Sequence, residues 1–165
     1  NGTRAVWEGM KAHGGGHIMS IASGSSFRGY TKEVMYCTGK HAAEGFVKAL
    51  ALEAASYNIS LNTVGPGKTI KPTGLTGAQL EKTPEAIRAR WTDPAELGNG
   101  LVWLASQPAG RFSGLRFDAG PIIDTISSEG WDFAFSPEKV SQCPDDMKSR
   151  LDWQAHYSEE METKR

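Results

Sequence analysis

Tyr36 and Lys40 stand four residues apart in the segment YCTGK. In a helix, positions i and i+4 share a face, so the phenol and the ammonium would project together. A free tyrosine has a pKa near ~10 and is a poor proton donor or acceptor at neutral pH. A neighbouring ammonium favours the phenolate, and so does the positive end of a helix dipole. A tyrosine so placed moves toward the range in which general acid–base catalysis works. Ser23, in SIASGSS, lies 13 positions earlier and could donate a hydrogen bond to the same substrate oxygen. In VGPG, Pro66-Gly67 would let backbone approach a flat ligand. Each feature taken singly also has a plain structural explanation: a solvated helix face, a turn serine, a turn glycine.

The surrounding pattern supplies elements to position these groups. Residues 3–13 place Ala5, Val6 and Met10 at helical spacing, and GGG at 14–16 ends that helix. HIMSIAS, 17–23, is a short apolar run suited to a buried strand. A polar loop follows over 24–32, then a long helix over about 34–56. Its apolar positions Ala42, Phe46 and Leu50 fall along one side, and Ala43, Val47, Leu50 and Ala54 along another. A helix with one buried face does not need the second stripe, which is expected to meet a partner subunit. ISLNTVGPG reads as the next strand running into a turn, and 68–82 as a loop. Thr83-Pro84 suggests an N-cap followed by a first-turn proline, and DPAEL at 93–97 suggests a capping box with Asp93, Pro94 and Glu96. GLRFDAG reads as a last strand and turn. Helices alternating with strands imply an α/β fold with a parallel sheet, and ligands in such sheets bind at the carboxyl ends of the strands.

Taken together, GGGHIMSIAS, YCTGK, NTVGPG, DPAELGNGLVWLAS and FSGLRFDAG, in this order and at these separations, resemble the short-chain dehydrogenase/reductase family. The resemblance covers about residues 3 to 120. It implies an incomplete Rossmann-like doubly wound parallel sheet, its C-terminal part, spanning 1–120, with an acidic C-terminal extension over 121–165. It implies an NAD(P)-dependent oxidoreductase that interconverts a carbonyl and a secondary alcohol. Tyr36 would be the acid/base, Lys40 would assist it and hold the nicotinamide ribose, and Ser23 would orient the substrate oxygen. Pro66, Gly67 and Thr69 would line the nicotinamide side. The cofactor is NAD or NADP, the partner a small carbonyl or alcohol substrate, and the assembly a homodimer or homotetramer. The family's catalytic asparagine falls upstream of residue 1, and its glycine-rich phosphate loop is not in the sequence. GGG at 14–16 follows a helix and precedes a strand, the reverse of the context such a loop needs. Lys71 stands where the family commonly has a threonine. The chain is therefore expected to be the catalytic portion of such an enzyme, inactive by itself. The alternative is a truncated, non-catalytic member acting as an oligomerisation or interaction module.

The totals fit a globular protein of 165 residues with 39% hydrophobic and 22% charged residues. A net charge of −1 gives no footprint for nucleic acid, and no apolar run approaches the roughly 18 residues of a membrane span. Cys37 and Cys143 make no disulfide framework, which points to a reducing cytoplasm. The four histidines form no metal-binding pattern, and no metal is assigned. Charge is uneven: residues 1–120 hold 13 basic and 9 acidic residues, net +4, and residues 121–165 hold 5 and 10, net −5. The acidic segment reads as a solvated extension. Trp131, Phe133 and Phe135 near its start are expected to dock on the body or a neighbouring subunit. Met147, Leu151 and Ala155 hint at a short helix, and the last dozen residues are expected to be mobile.

Overall fold

The apolar runs at 16–21 and 59–65 pair side by side as β1 (Gly16–Ile21) and β2 (Ile59–Gly65), and β3 (Arg116–Asp118) joins the far side of β2. All pairings are parallel, in the order β1-β2-β3, with Ile21 opposite Val64 and Val64 opposite Phe117. The computed structural model describes residues 1–163. The helices are α1 (Gly2–Ala12), α2 (Val34–Ala54), α3 (Gly77–Glu81), α4 (Glu85–Arg88), α5 (Pro94–Ala105), α6 (Ala119–Glu129), α7 (Pro137–Val140) and α8 (Pro144–Thr163). The fold is α/β, as the alternation of helices and strands implies. Among the described residues no helix is long and apolar enough to cross a membrane.

The central strand is buried throughout, although Ser60, Asn62 and Thr63 are polar. Each finds a partner, as buried polar groups must. Ser60 Oγ accepts from the Gly110 N–H at 2.8 Å. Asn62 donates to the Phe112 carbonyl at 2.8 Å and accepts from the Leu115 N–H at 3.1 Å. Thr63 donates to Glu44 Oε2 at 3.1 Å. These bonds steer the 110–115 loop back along β2 and deliver β3 beside it.

Helix α2 buries Cys37, Glu44, Val47, Ala51 and Ala54, a single stripe at helical spacing. The stripe expected to meet a partner subunit is corrected: Val47 and Ala54 are buried in the chain's own core against Ile59 and Leu61, and it is Phe46, on the other side, that is 51% exposed. Helix α5 starts at the expected place: Asp93 accepts from the Ala95 N–H at 2.8 Å and Pro94 occupies the first turn, but among the described residues Glu96 does not close the expected capping box. The expectation at Thr83-Pro84 is corrected. Pro84 itself is the cap residue of α4, and the Thr83 hydroxyl donates back to the Gln79 carbonyl at 2.9 Å. The bond to the preceding turn outcompetes capping.

Part of the acidic C-terminal segment packs into the core, while most of α8 is exposed or half-buried. No turn follows β3; α6 begins at Ala119 and lies so close to α5 that a Cβ on Gly100 would sit 2.8 Å from the Ala119 Cα. Ile122, Ile123, Phe133, Val140 and Met147 join one core with Val64, Leu104 and Phe117. Phe133 stacks on Trp103 with ring centres 4.7 Å apart and planes 9° from parallel, and Phe135 packs on Phe112 at 4.6 Å. The Trp103 indole donates to the Trp131 carbonyl at 3.1 Å. The aromatic cluster thus docks on the body, as one of the two expected outcomes. Helix α8 is longer than the short helix expected and runs over most of the last dozen residues; residues 164 and 165 lie outside the described part. Phe133→Ala is expected to cost about 3–5 kcal/mol in urea unfolding, within one cooperative transition. A loss below about 1 kcal/mol would mean that the segment is not part of the core.

Candidate active site

Beyond Ile21 the chain leaves β1 with the Ala22 N–H on the Val64 carbonyl at 2.8 Å, then turns at Ser23. Ser23 is extended (φ −151°, ψ 167°) and caps a 3-10 turn over Gly24–Ser26. Its Oγ accepts from the Ser25 N–H at 3.2 Å, and its own N–H donates to Ser26 Oγ at 3.1 Å. The Ser23 hydroxyl therefore keeps its proton to donate. Ser25 Oγ donates to Glu33 Oε2 at 3.1 Å, which joins the serine turn to the residue that precedes α2.

Tyr36 and Lys40 lie one turn apart in α2. The Lys40 ammonium donates to the carbonyl of Ile21, the last residue of β1, at 2.7 Å and lies 5.7 Å from the centre of the Tyr36 ring. One of its three N–H donors is so used. Tyr36 is 52% exposed, and its hydroxyl has no hydrogen-bond partner among the described residues. It faces a cleft of about 660 Å³ between residues 32–36 and Pro72–Gly74, with Val34 and Met35 exposed on the same wall. The structure thus draws Ser23, Tyr36 and Lys40 to the carboxyl end of β1.

Pro66, Gly67 and Thr69 follow the carboxyl end of β2, next to the end of β1. They line a second cleft, of about 250 Å³, with Gly24, Lys68, Asp118 and Gln142. Gly67 has φ +66°, a conformation that favours glycine, and a Cβ there would lie 2.7 Å from the Pro121 ring and 2.9 Å from the Asp118 Cβ. The segment 66–74 contributes to both clefts.

Beneath the site runs a buried charge network that the sequence reading did not single out. Glu44 lies one turn beyond Lys40. Its carboxylate takes Arg116 at 2.9 Å and Arg150 at 3.3 Å, as well as the Thr63 hydroxyl. Arg116 also pairs with Asp118 at 2.9 Å and lies 4.5 Å over the ring of Phe27, just past the serine turn. Burial pushes the Asp118 carboxyl above the ordinary carboxylate range, against the opposing pull of Arg116 and the Gln142 N–H. Two signals were available: a glutamate in the helix's core stripe, and Arg and Asp two apart in a strand that is buried throughout. Gly65 is required because a Cβ there would collide with the Asp118 carboxylate and sit 2.6 Å from Arg116 Nη2.

A parallel α/β sheet with serine, tyrosine and lysine near the carboxyl end of a strand has them where open α/β folds bind their ligands. A family model described as short chain dehydrogenase matches residues 1–83, and the chain belongs to the short-chain dehydrogenase/reductase family. It is 33% identical over 119 residues to an acetoacetyl-CoA reductase of Allochromatium vinosum, covering 69% of this chain and 48% of that protein. It is 33% identical over 109 residues to carbonyl reductase family member 4 of Danio rerio, covering 64% of this chain and 44% of that protein. Among solved structures, L-sorbose reductase from Gluconobacter frateurii, complexed with NADPH and L-sorbose, superposes with a TM-score of 0.60 at 27% identity, covering 70% of this chain and 50% of that one. The chain spans about half the length of the curated relatives it matches.

Removing the Arg116 guanidinium would leave Glu44 short of one partner and Asp118 without its counter-ion. Arg116→Met is therefore expected to lower stability by about 3 kcal/mol or more in urea unfolding. A change below about 1 kcal/mol would show that the network does not hold the site's elements together.

Proposed function

We propose that the intact protein is an NAD(P)-dependent oxidoreductase that interconverts a carbonyl compound and a secondary alcohol. The observation that carries this reading is the convergence of Ser23, Tyr36 and Lys40 at the carboxyl end of β1, with Lys40 fixed on the Ile21 carbonyl. The residues present suit the nicotinamide half of a dinucleotide. Backbone and small side chains at Gly24, Pro66, Gly67 and Thr69 line a narrow cleft at the strand ends, and Lys40 keeps two donors for vicinal hydroxyls. Bound there, the nicotinamide supplies or takes up the hydride.

The chain's own residues manage the proton and the substrate oxygen. In reduction, the Tyr36 hydroxyl gives its proton to the carbonyl oxygen as charge builds there. The free Ser23 O–H donates to the same oxygen and orients it. Lys40 holds a positive charge beside the phenol and offers its remaining donors to the ribose hydroxyls. In oxidation Tyr36 accepts the proton instead. The open cleft between 32–36 and 72–74 admits the substrate next to Tyr36.

Tyr36→Phe removes the transferable proton and little else. In the intact protein it is expected to lower turnover by about 10²–10⁴-fold, with NADPH or NADH affinity nearly unchanged. Lys40→Ala should weaken both. Near-normal turnover in Tyr36→Phe, measured by NAD(P)H absorbance against a panel of carbonyl compounds, would refute the assignment.

The same reading includes a homodimer or homotetramer. A groove of about 440 Å³ between α1 and α2 is lined by Trp7, Phe46 and Leu50, and half of Phe46 is open to solvent. A second copy of the chain is the occupant this face calls for. Sedimentation velocity of the intact protein at micromolar concentration should give a dimer or tetramer; a monomer would count against it.

A further inference from the structure

The Pro66-Gly67 turn is held from the C-terminal side. The Gly120 N–H donates to the Pro66 carbonyl at 2.9 Å, and Lys68 pairs with Asp124 at 2.6 Å. The Gly67 carbonyl takes the side-chain amide of Gln142 at 2.7 Å. Gln142 is anchored independently. Its backbone N–H donates to Asp118 Oδ2 at 2.9 Å, and its neighbours Val140 and Ser141 are buried. The Gln142 side chain is exposed, and it walls the same cleft as Gly24, Pro66 and Thr69. Its bond to Gly67 is therefore not needed to hold the C-terminal segment in place. What that bond does hold is the turn. All of these contacts come from residues 118–142, outside the span 1–83 that the family model matches.

We infer that Gln142 is a positioning residue for the cofactor-facing turn: its amide fixes the Gly67 carbonyl and sets the shape of the cleft that takes the nicotinamide. The inference rests on the dinucleotide reading above. An ordered turn binds a flat ligand without first losing conformational freedom, so loosening it weakens binding. Gly67, with no side chain and φ +66°, is the residue of the turn most in need of such a restraint.

Gln142→Met keeps the length of the side chain and removes the donor. In the intact protein, the amides of residues 67–70 should exchange faster in Gln142→Met than in wild type without cofactor, with the melting temperature unchanged. The dissociation constant for NADPH or NADH, by calorimetry, should rise about three- to tenfold. Gln142→Lys returns a donor to the same reach and should recover both. Unchanged exchange at 67–70 would overturn the inference, and so would faster exchange with unchanged affinity. A loss in Gln142→Met that Gln142→Lys does not recover would assign the effect to packing and also overturn it. A wild-type protein that binds neither dinucleotide would remove the functional reading, and with it the cofactor role of Gln142, while the exchange data would still judge the clamp.

Discussion

A single buried carboxylate, Glu44, joins the parts that make up the site. It sits in the core stripe of the helix that carries Tyr36 and Lys40, and it receives donors from β2, β3 and α8. Two buried carboxylates, Glu44 and Asp118, stand against two guanidinium groups, Arg116 and Arg150, and Arg150 also pairs with Asp146 at 2.7 Å, so every buried charge in the cluster has an opposite charge beside it. Balance of this kind is what makes buried charge tolerable, since an unpaired ion in a low-dielectric interior costs several kcal/mol. The balance is not complete in hydrogen bonds: the Nε atoms of Arg116 and Arg150 are buried without a partner among the described residues. The arrangement favours position over stability, because Glu44 meets all its donors only when the helix, two strands and the C-terminal helix stand in their native places.

The two clefts follow from how the chain leaves the sheet. The strands are parallel, so their carboxyl ends face one side, and the segments leaving β1 and β2 meet there. The 66–74 segment then serves both the narrow cleft at the strand ends and the open one beside Tyr36.

Much of this was legible in the sequence because the relevant forces are local. Hydrophobic periodicity marks α2, the apolar runs mark β1 and β2, and Asp93-Pro94 marks the start of α5 by capping chemistry. The spacing of Tyr36 and Lys40 places them on one helix face before any fold is known. What was hidden depends on partners distant in sequence. Glu44 reads as an ordinary helix glutamate until Arg116 and Arg150, 72 and 106 positions away, come to it. The acidic balance of 121–165 suggested solvation, yet its apolar residues are spaced to reach the groove over Trp103, and burial of a few large side chains outweighs many charges that stay at the surface. At Thr83 a local hydrogen bond to the preceding turn won over a cap that looked equally good on paper.

Helix α2 has a rotational consequence of its own. From Glu44 onward its azimuth is locked by Val47 and Ala51 in the core, and the charge cluster prevents the helix from rolling. Tyr36 and Lys40 inherit their direction from that lock through one or two turns of unbroken helix. Each added residue turns a helix by about 100° and lengthens it by about 1.5 Å. An insertion of one alanine between Lys40 and Glu44 would therefore swing the phenol out of its cleft and pull the ammonium off the end of β1, without touching a residue of either. The stretch 41–43 acts as a gear of fixed tooth count between the core and the chemistry, and its length is as constrained as the identity of the groups at its two ends.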